Sequence, residues 1–172
     1  ARANRIAGCP AGSPSQPASK PGQVSIASTG DLLIYDVGHD IPEDGGAGYF
    51  EAVQPWFTQD LVTGNLEQAI CEDTGYVKCG ADPDCLQFRS DPETAQYLAG
   101  FDLLSLANNH SSDFGPDGYA KTVANLAAAG VRTVGLRNEI ACTAFGDITV
   151  AVLGFSPYAH TNRVTDLRHT KQ

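Results

Sequence analysis

Nowhere in this sequence do about 18 apolar residues run together, so no segment reads as a helix able to cross a bilayer. Basic residues are scarce: 11 Lys and Arg stand against 20 Asp and Glu, for a formal charge of -9. That balance argues against a nucleic-acid partner, because phosphate backbones are gripped by basic surface. It equally disfavours a polyanion spread over the whole chain. An anionic substrate would need a local positive feature, a metal or a helix N-terminus. No CxxC pair occurs and no histidine follows a cysteine at finger spacing, which argues against a zinc knuckle. Glycine-rich phosphate loops are missing. Gly154-Phe155-Ser156-Pro157 lacks the second glycine of a nucleophile elbow, and Asp82-Pro83-Asp84 does not match a helix–loop–helix calcium site. No internal repeat is visible.

What is present suits one domain with a real core: 172 residues, 42% of them hydrophobic. Methionine is absent, yet there are five cysteines, Cys9, Cys71, Cys79, Cys85 and Cys142. Three of them sit in the loop-like CEDTGYVKCGADPDC. Disulfides formed in an oxidising compartment fit this usage, with the pairing open and one thiol left over. Residues 1–23 are rich in Ala, Gly, Pro, Ser and Gln and read as a flexible secreted or surface-tethered linker, with the folded domain over 24–172. Ile6-Ala7-Gly8-Cys9 has the form of a lipoprotein processing box, which would make Cys9 a lipid anchor. Arg2, Asn4 and Arg5, however, occupy the place of an apolar signal core. The expected location is extracellular or cell-surface, with lipid or membrane anchoring as one form of it.

Along the chain, Val24–Thr29 alternates apolar and polar residues and ends at Gly30-Asp31, a strand leading into a turn. A short helix is expected around Gly45–Pro55. Asp60–Gly64 is a brief apolar run ending at Asn65-Leu66-Glu67. Ser90-Asp91-Pro92-Glu93 predicts a capping box opening a helix that closes at Gly100. Phe101–Ala107 is the next strand. Pro116 opens a helix with Tyr119, Val123, Leu126 and Ala127 on one face, closing at Gly130. Val131–Val134 and Ile148–Phe155 are further strands. Strands alternating with helices predict an α/β sheet with covered faces, and in such sheets ligands gather beyond the carboxyl ends of the strands.

Polar clusters fall at three such ends: Asp31, then Asn65 with Glu67, then Asn108, Asn109 and His110. Each cluster alone is open to a bland reading, as turn formers, a cap or a solvated charge. Together they make a mixed oxygen and nitrogen set that suits a divalent metal such as Mn, Fe, Zn or Mg. His110 would be a ligand, or a general acid beside the metal. His39-Asp40 sits in a Gly- and Pro-marked loop, and His160 and His169 lie in a polar tail with no readable partner.

STGDLL (28–33), LVTGNLEQAI (61–70) and the block FRSDPETAQYLAGFDLLSLANNHSSDFGPDGYAKTVANLAAAGV (88–131) carry a resemblance, extended by GLRNE and ITVAVLGFSPY to about Tyr158. The chain resembles the CapA family of poly-gamma-glutamate capsule biosynthesis proteins, whose domain is similar to calcineurin-type metallophosphoesterases. The resemblance implies a metallophosphoesterase-like α/β sandwich. It also implies an extracellular, metal-dependent hydrolase of phosphoester or glutamyl-amide bonds, working on poly-gamma-glutamate or a phosphoester with other capsule-synthesis membrane proteins as partners. A non-catalytic surface component for polymer assembly or export is the alternative. By the same resemblance Asp31, Glu67 and Asn109 are metal ligands, with Glu67 bridging. His110 is the acid or phosphate-contacting imidazole, and Asn65, Asn108 and Asp113 support it. Leu33 stands where the phosphoesterase pattern has a histidine. Segments resembling HWG and GHHPH, which supply further histidines, are not found before Gln172, so the expectation is the N-terminal half of such a domain.

Overall fold

The computed structural model describes residues 9–34 and 46–165. In chain order the strands are β1 (Ser15–Gln16), β2 (Ile26–Leu32), β3 (Leu61–Leu66), β4 (Ala69–Ile70) and β5 (Arg89–Ser90). After them come β6 (Leu103–Ser105), helix α1 (Gly115–Ala128), β7 (Arg132–Val134), β8 (Ala141–Phe145) and β9 (Ile148–Val152). Strands β2, β3, β6 and β7 form a parallel sheet in that spatial order. Parallel strands are covered on both faces, and alternate residues here enter two cores. Val62, Leu66 and Leu104 point to the side of α1, packing with Leu126, Val131, Ala95, Leu98 and Phe101. Leu61, Leu103 and Val134 point to the other side, where Phe145, Val150 and Val152 of the β8–β9 hairpin cover them. The result is a mixed α/β architecture of helix, parallel sheet and hairpin layers, consistent with part of a metallophosphoesterase-like fold.

One irregularity places the site. Between Ser28↔Thr63 and Asp31↔Asn65, β2 advances three residues while β3 advances two. Ala27 packs against the α1-side core and Leu32 belongs to it, although five positions apart on a strand should face opposite sides. The extra residue, a bulge at Thr29-Gly30, reconciles the two. Gly64 makes room for it: a Cβ there would meet Thr29 Oγ1 at 2.4 Å and Leu32 Cδ1 at 2.9 Å.

Several expectations are corrected. Over 90–100 the structure has a 3-10 helix, Pro92–Leu98, whose N-cap is Asp91 and carries no side-chain cap. No capping box forms, because Ser90 is in β5 and its hydroxyl accepts from Gln68 Nε2 at 2.7 Å. Turns and the 3-10 segment Gln54–Trp56 replace the short helix around 45–55 among its described residues. The strand of 101–107 narrows to β6, and that of 148–155 ends at Val152 in antiparallel pairing with β8, which the sequence reading did not contain. Gly146-Asp147, with Gly146 at φ 59°, turns that hairpin. The stretch read as a linker is docked from Cys9 onward. Its β1 pairs with β8, and Ser19 donates from N and Oγ to the Asp60 carboxylate at 2.7 and 3.1 Å. Cys9 is bonded to Cys142. Cys79 pairs with Cys85, leaving Cys71 as the buried free thiol. Ile6-Ala7-Gly8, His39-Asp40 and His169 lie outside the described residues.

Candidate functional site at the strand ends

Parallel register delivers the rim. Asp31 near the end of β2 sits opposite Asn65 of β3, and Asn65 opposite Ser105 of β6. Glu67 follows directly, its N–H donating to Leu32 O at 3.0 Å as β3 leaves the sheet. The Asn65 amide nitrogen donates to Asp31 Oδ1 at 2.8 Å and to Glu67 Oε2, so one NH2 group spans both carboxylates. Asn65 Oδ1 in turn accepts from Asn108 Nδ2 at 3.0 Å. Burial lifts the Glu67 carboxyl above the ordinary Glu value; the Asn65 hydrogen bond opposes that, and the Asp31 charge adds to it.

The turn after β6 is built by Asn108. Its Oδ1 accepts from the N–H groups of His110 and Ser111 at 2.9 and 2.8 Å, and its Nδ2 donates to Leu66 O at 2.8 Å. An Asx turn of this kind is what the polar break in LLSLANNHSSDFG encodes. His110 is thereby buried, with Nδ1 2.7 Å from Asp113 Oδ2 and its ring 4.3 Å from that of Phe88. Asp113 has no exposed surface. Its carboxylate accepts from Phe88 N at 2.7 Å and from Lys78 Nζ. An ionised carboxylate already receiving donors only accepts, so His110 donates to it from Nδ1. Asn109 is exposed, outside the Asp31–Asn65–Glu67 network.

Sequence reading passed over two neighbours. Lys78 comes from the irregular cysteine segment, 35 positions from Asp113, and no local pattern announces such a contact. His160 Nε2 lies 3.5 Å from Ser111 Oγ; burial pushes its imidazole below the ordinary His value, and a hydrogen bond with the Asn108 backbone partly offsets that.

Two carboxylates and an imidazole are donors for a hard or borderline divalent cation. Among the described residues, however, no three Asp, Glu, His or Cys side chains converge as a metal set, and no buried side-chain nitrogen or oxygen lacks a partner. The residues fit a metal as part of a ligand set: Asp31 and Glu67 face one amide, and nothing described closes the ring around them.

Residues 25–172 match the model of the family described as bacterial capsule synthesis protein PGA_cap, and the chain belongs to that family. Among its relatives is the PGA biosynthesis protein CapA of Bacillus subtilis (strain 168), 27% identical over 144 residues covering 77% of this chain and 37% of that protein. Another is the capsule biosynthesis protein CapA of Bacillus anthracis, 29% identical over 146 residues covering 78% and 35% respectively. The chain thus spans little more than a third of the length of these curated relatives.

Proposed function

We propose that this chain supplies the nucleus of a metal-dependent hydrolase site of a cell-surface or extracellular capsule biosynthesis protein, acting on the glutamyl-amide bonds of poly-gamma-glutamate or on a phosphoester substrate. The observation that carries the reading is the Asn65 amide spanning Asp31 and Glu67 beside the Asp113-held imidazole of His110. Asp31 and Glu67, with Asn109 on the rim, would hold the divalent ion, Mn, Fe, Zn or Mg. When bound it supplies Lewis acidity and an activated water. Asn65 fixes the spacing of the two carboxylates. His110, oriented through Nδ1, presents Nε2 to a leaving or attacking oxygen for proton transfer. Two disulfides support an oxidising compartment. Capsule-synthesis membrane proteins are the proposed partners.

Metal analysis and hydrolysis assays on the full-length protein test this. His110→Ala is expected to lower turnover by about 10²–10⁴-fold with metal content retained, the range for a general acid or base. Wild-type protein with neither metal nor activity overturns the reading. The absence of a three-ligand cluster among the described residues favours a second reading, a non-catalytic component of polyglutamate assembly or export. Retention on immobilised polyglutamate in the presence of chelator would support it.

A further inference from the structure

We propose that the loop closed by Cys79–Cys85 is a positioning element for the rim, with Lys78 as the residue through which it holds His110. The inference rests on the reading of His110 as a working side chain of the site.

The Lys78 ammonium has three protons and three acceptors: Leu86 O at 3.1 Å, Asn109 O at 3.5 Å and Asp113 Oδ1. Lys78 precedes Cys79 and Leu86 follows Cys85, so this one group crosses the mouth of the disulfide loop and ties both limbs to the turn after β6. The descending limb adds its own contacts. Gln87 Nε2 donates to Asp113 O at 2.8 Å, Phe88 N donates to Asp113 Oδ2 at 2.7 Å, and the Phe88 ring lies against His110. Asp113, wholly buried, therefore receives the loop on one side and His110 Nδ1 on the other.

The chemistry explains why a loop so polar is covalently closed. Pinning a lysine costs rotamer freedom, and a long open loop would add closure entropy. A disulfide spanning six positions fixes Lys78 and Leu86 near one another before the contact is made. The Lys78 cation also balances the buried Asp113 carboxylate. Asp113 can then act on His110 as an oriented acceptor that selects the Nδ1–H form. Lys78 does not touch a reacting atom in this scheme. It acts through Asp113.

The test uses the full-length protein, uniformly labelled with 15N, observing the imidazole nitrogens of His110, assigned with His110→Ala. Wild type is expected to give one Nδ1–H tautomer. Lys78→Met is expected to lose that single-tautomer signature, with the backbone amide spectrum of the parallel sheet unchanged, and Lys78→Arg to restore it. A paired Cys79→Ser, Cys85→Ser variant, which keeps Lys78 and every partner of Asp113, is expected to show the same loss. His110 signals identical to wild type in either Lys78→Met or the paired serine variant overturn the proposal. Should Lys78→Met not fold, the serine pair decides alone. Absence of hydrolysis by the full-length protein would sink the hydrolase reading and leave these signals as they are, so the two failures are distinguishable.

Discussion

Glu67 shows what the rim costs at the scale of single residues. Its carboxyl is lifted by burial and by its acidic neighbours, so on raising pH the unfolded chain ionises first and the folded state holds the extra proton. Stability contributed by this group is therefore present below the ordinary Glu value and is lost as pH rises through the raised one. Glu67→Gln is expected to be more stable than wild type near neutral pH, with the gap closing in acid. Denaturant midpoints measured at both pH values check the sign. Asp31, Asn65, Asn108 and His110 were legible as a rim because each follows an apolar run, and the sheet register brings them together. Lys78 and His160 were not, since their contacts span tens of residues and depend on how loops fold back.

At the scale of elements, periodicity served where packing obeys it. Parallel strand β2 read as an alternating stretch, β3, β6 and β7 as apolar runs, and α1 as an amphipathic stretch with its Leu126 side inward. It failed where tertiary partners outbid local propensity: Ser90, a plausible helix cap, is taken by Gln68, and the following turns stay 3-10. The bulge in β2 left no trace in the alternation pattern beyond Gly30, yet it sets where Asp31 ends up. Gly64→Ala forces a Cβ against Thr29 and Leu32, and is expected to destabilise by about 1–3 kcal/mol, as overpacking does. Because the displaced atoms belong to the bulge, chemical-shift changes should concentrate at 28–32 and 64–67. Changes spread evenly over the sheet would show that the bulge does not depend on Gly64.

For the whole molecule, residues 9–23 are held in place although they bury little core, because composition reports how much core a segment can bury and is silent on staples. Two things fix them. Asp60 accepts from Ser19 and from Ser25, through N and Oγ of each, and these bonds, foremost that from Ser25 N, hold its carboxyl well below the usual Asp range. Below the ordinary Asp value the unfolded state binds the extra proton, so this stabilisation is full above that value and is lost as pH falls through the depressed one. Asp60→Asn is expected to flatten the acid limb of the stability curve, as followed by thermal melts in acid. The other fixture is Cys9–Cys142. Replacing both cysteines by serine is expected to cost about 2–5 kcal/mol, the usual range for a native disulfide, measured by reversible denaturation.

That bond joins residues 133 positions apart and encloses the parallel sheet within one covalent ring. Tension pulled in from residues upstream of Cys9 would pass through sulfur into β8, beside the hairpin, rather than peel β1 from its neighbour. The sheet carrying Asp31, Glu67 and His110 lies inside the ring, off the line of force. A chain held or tugged at its amino end could thus bear mechanical load without distorting the rim.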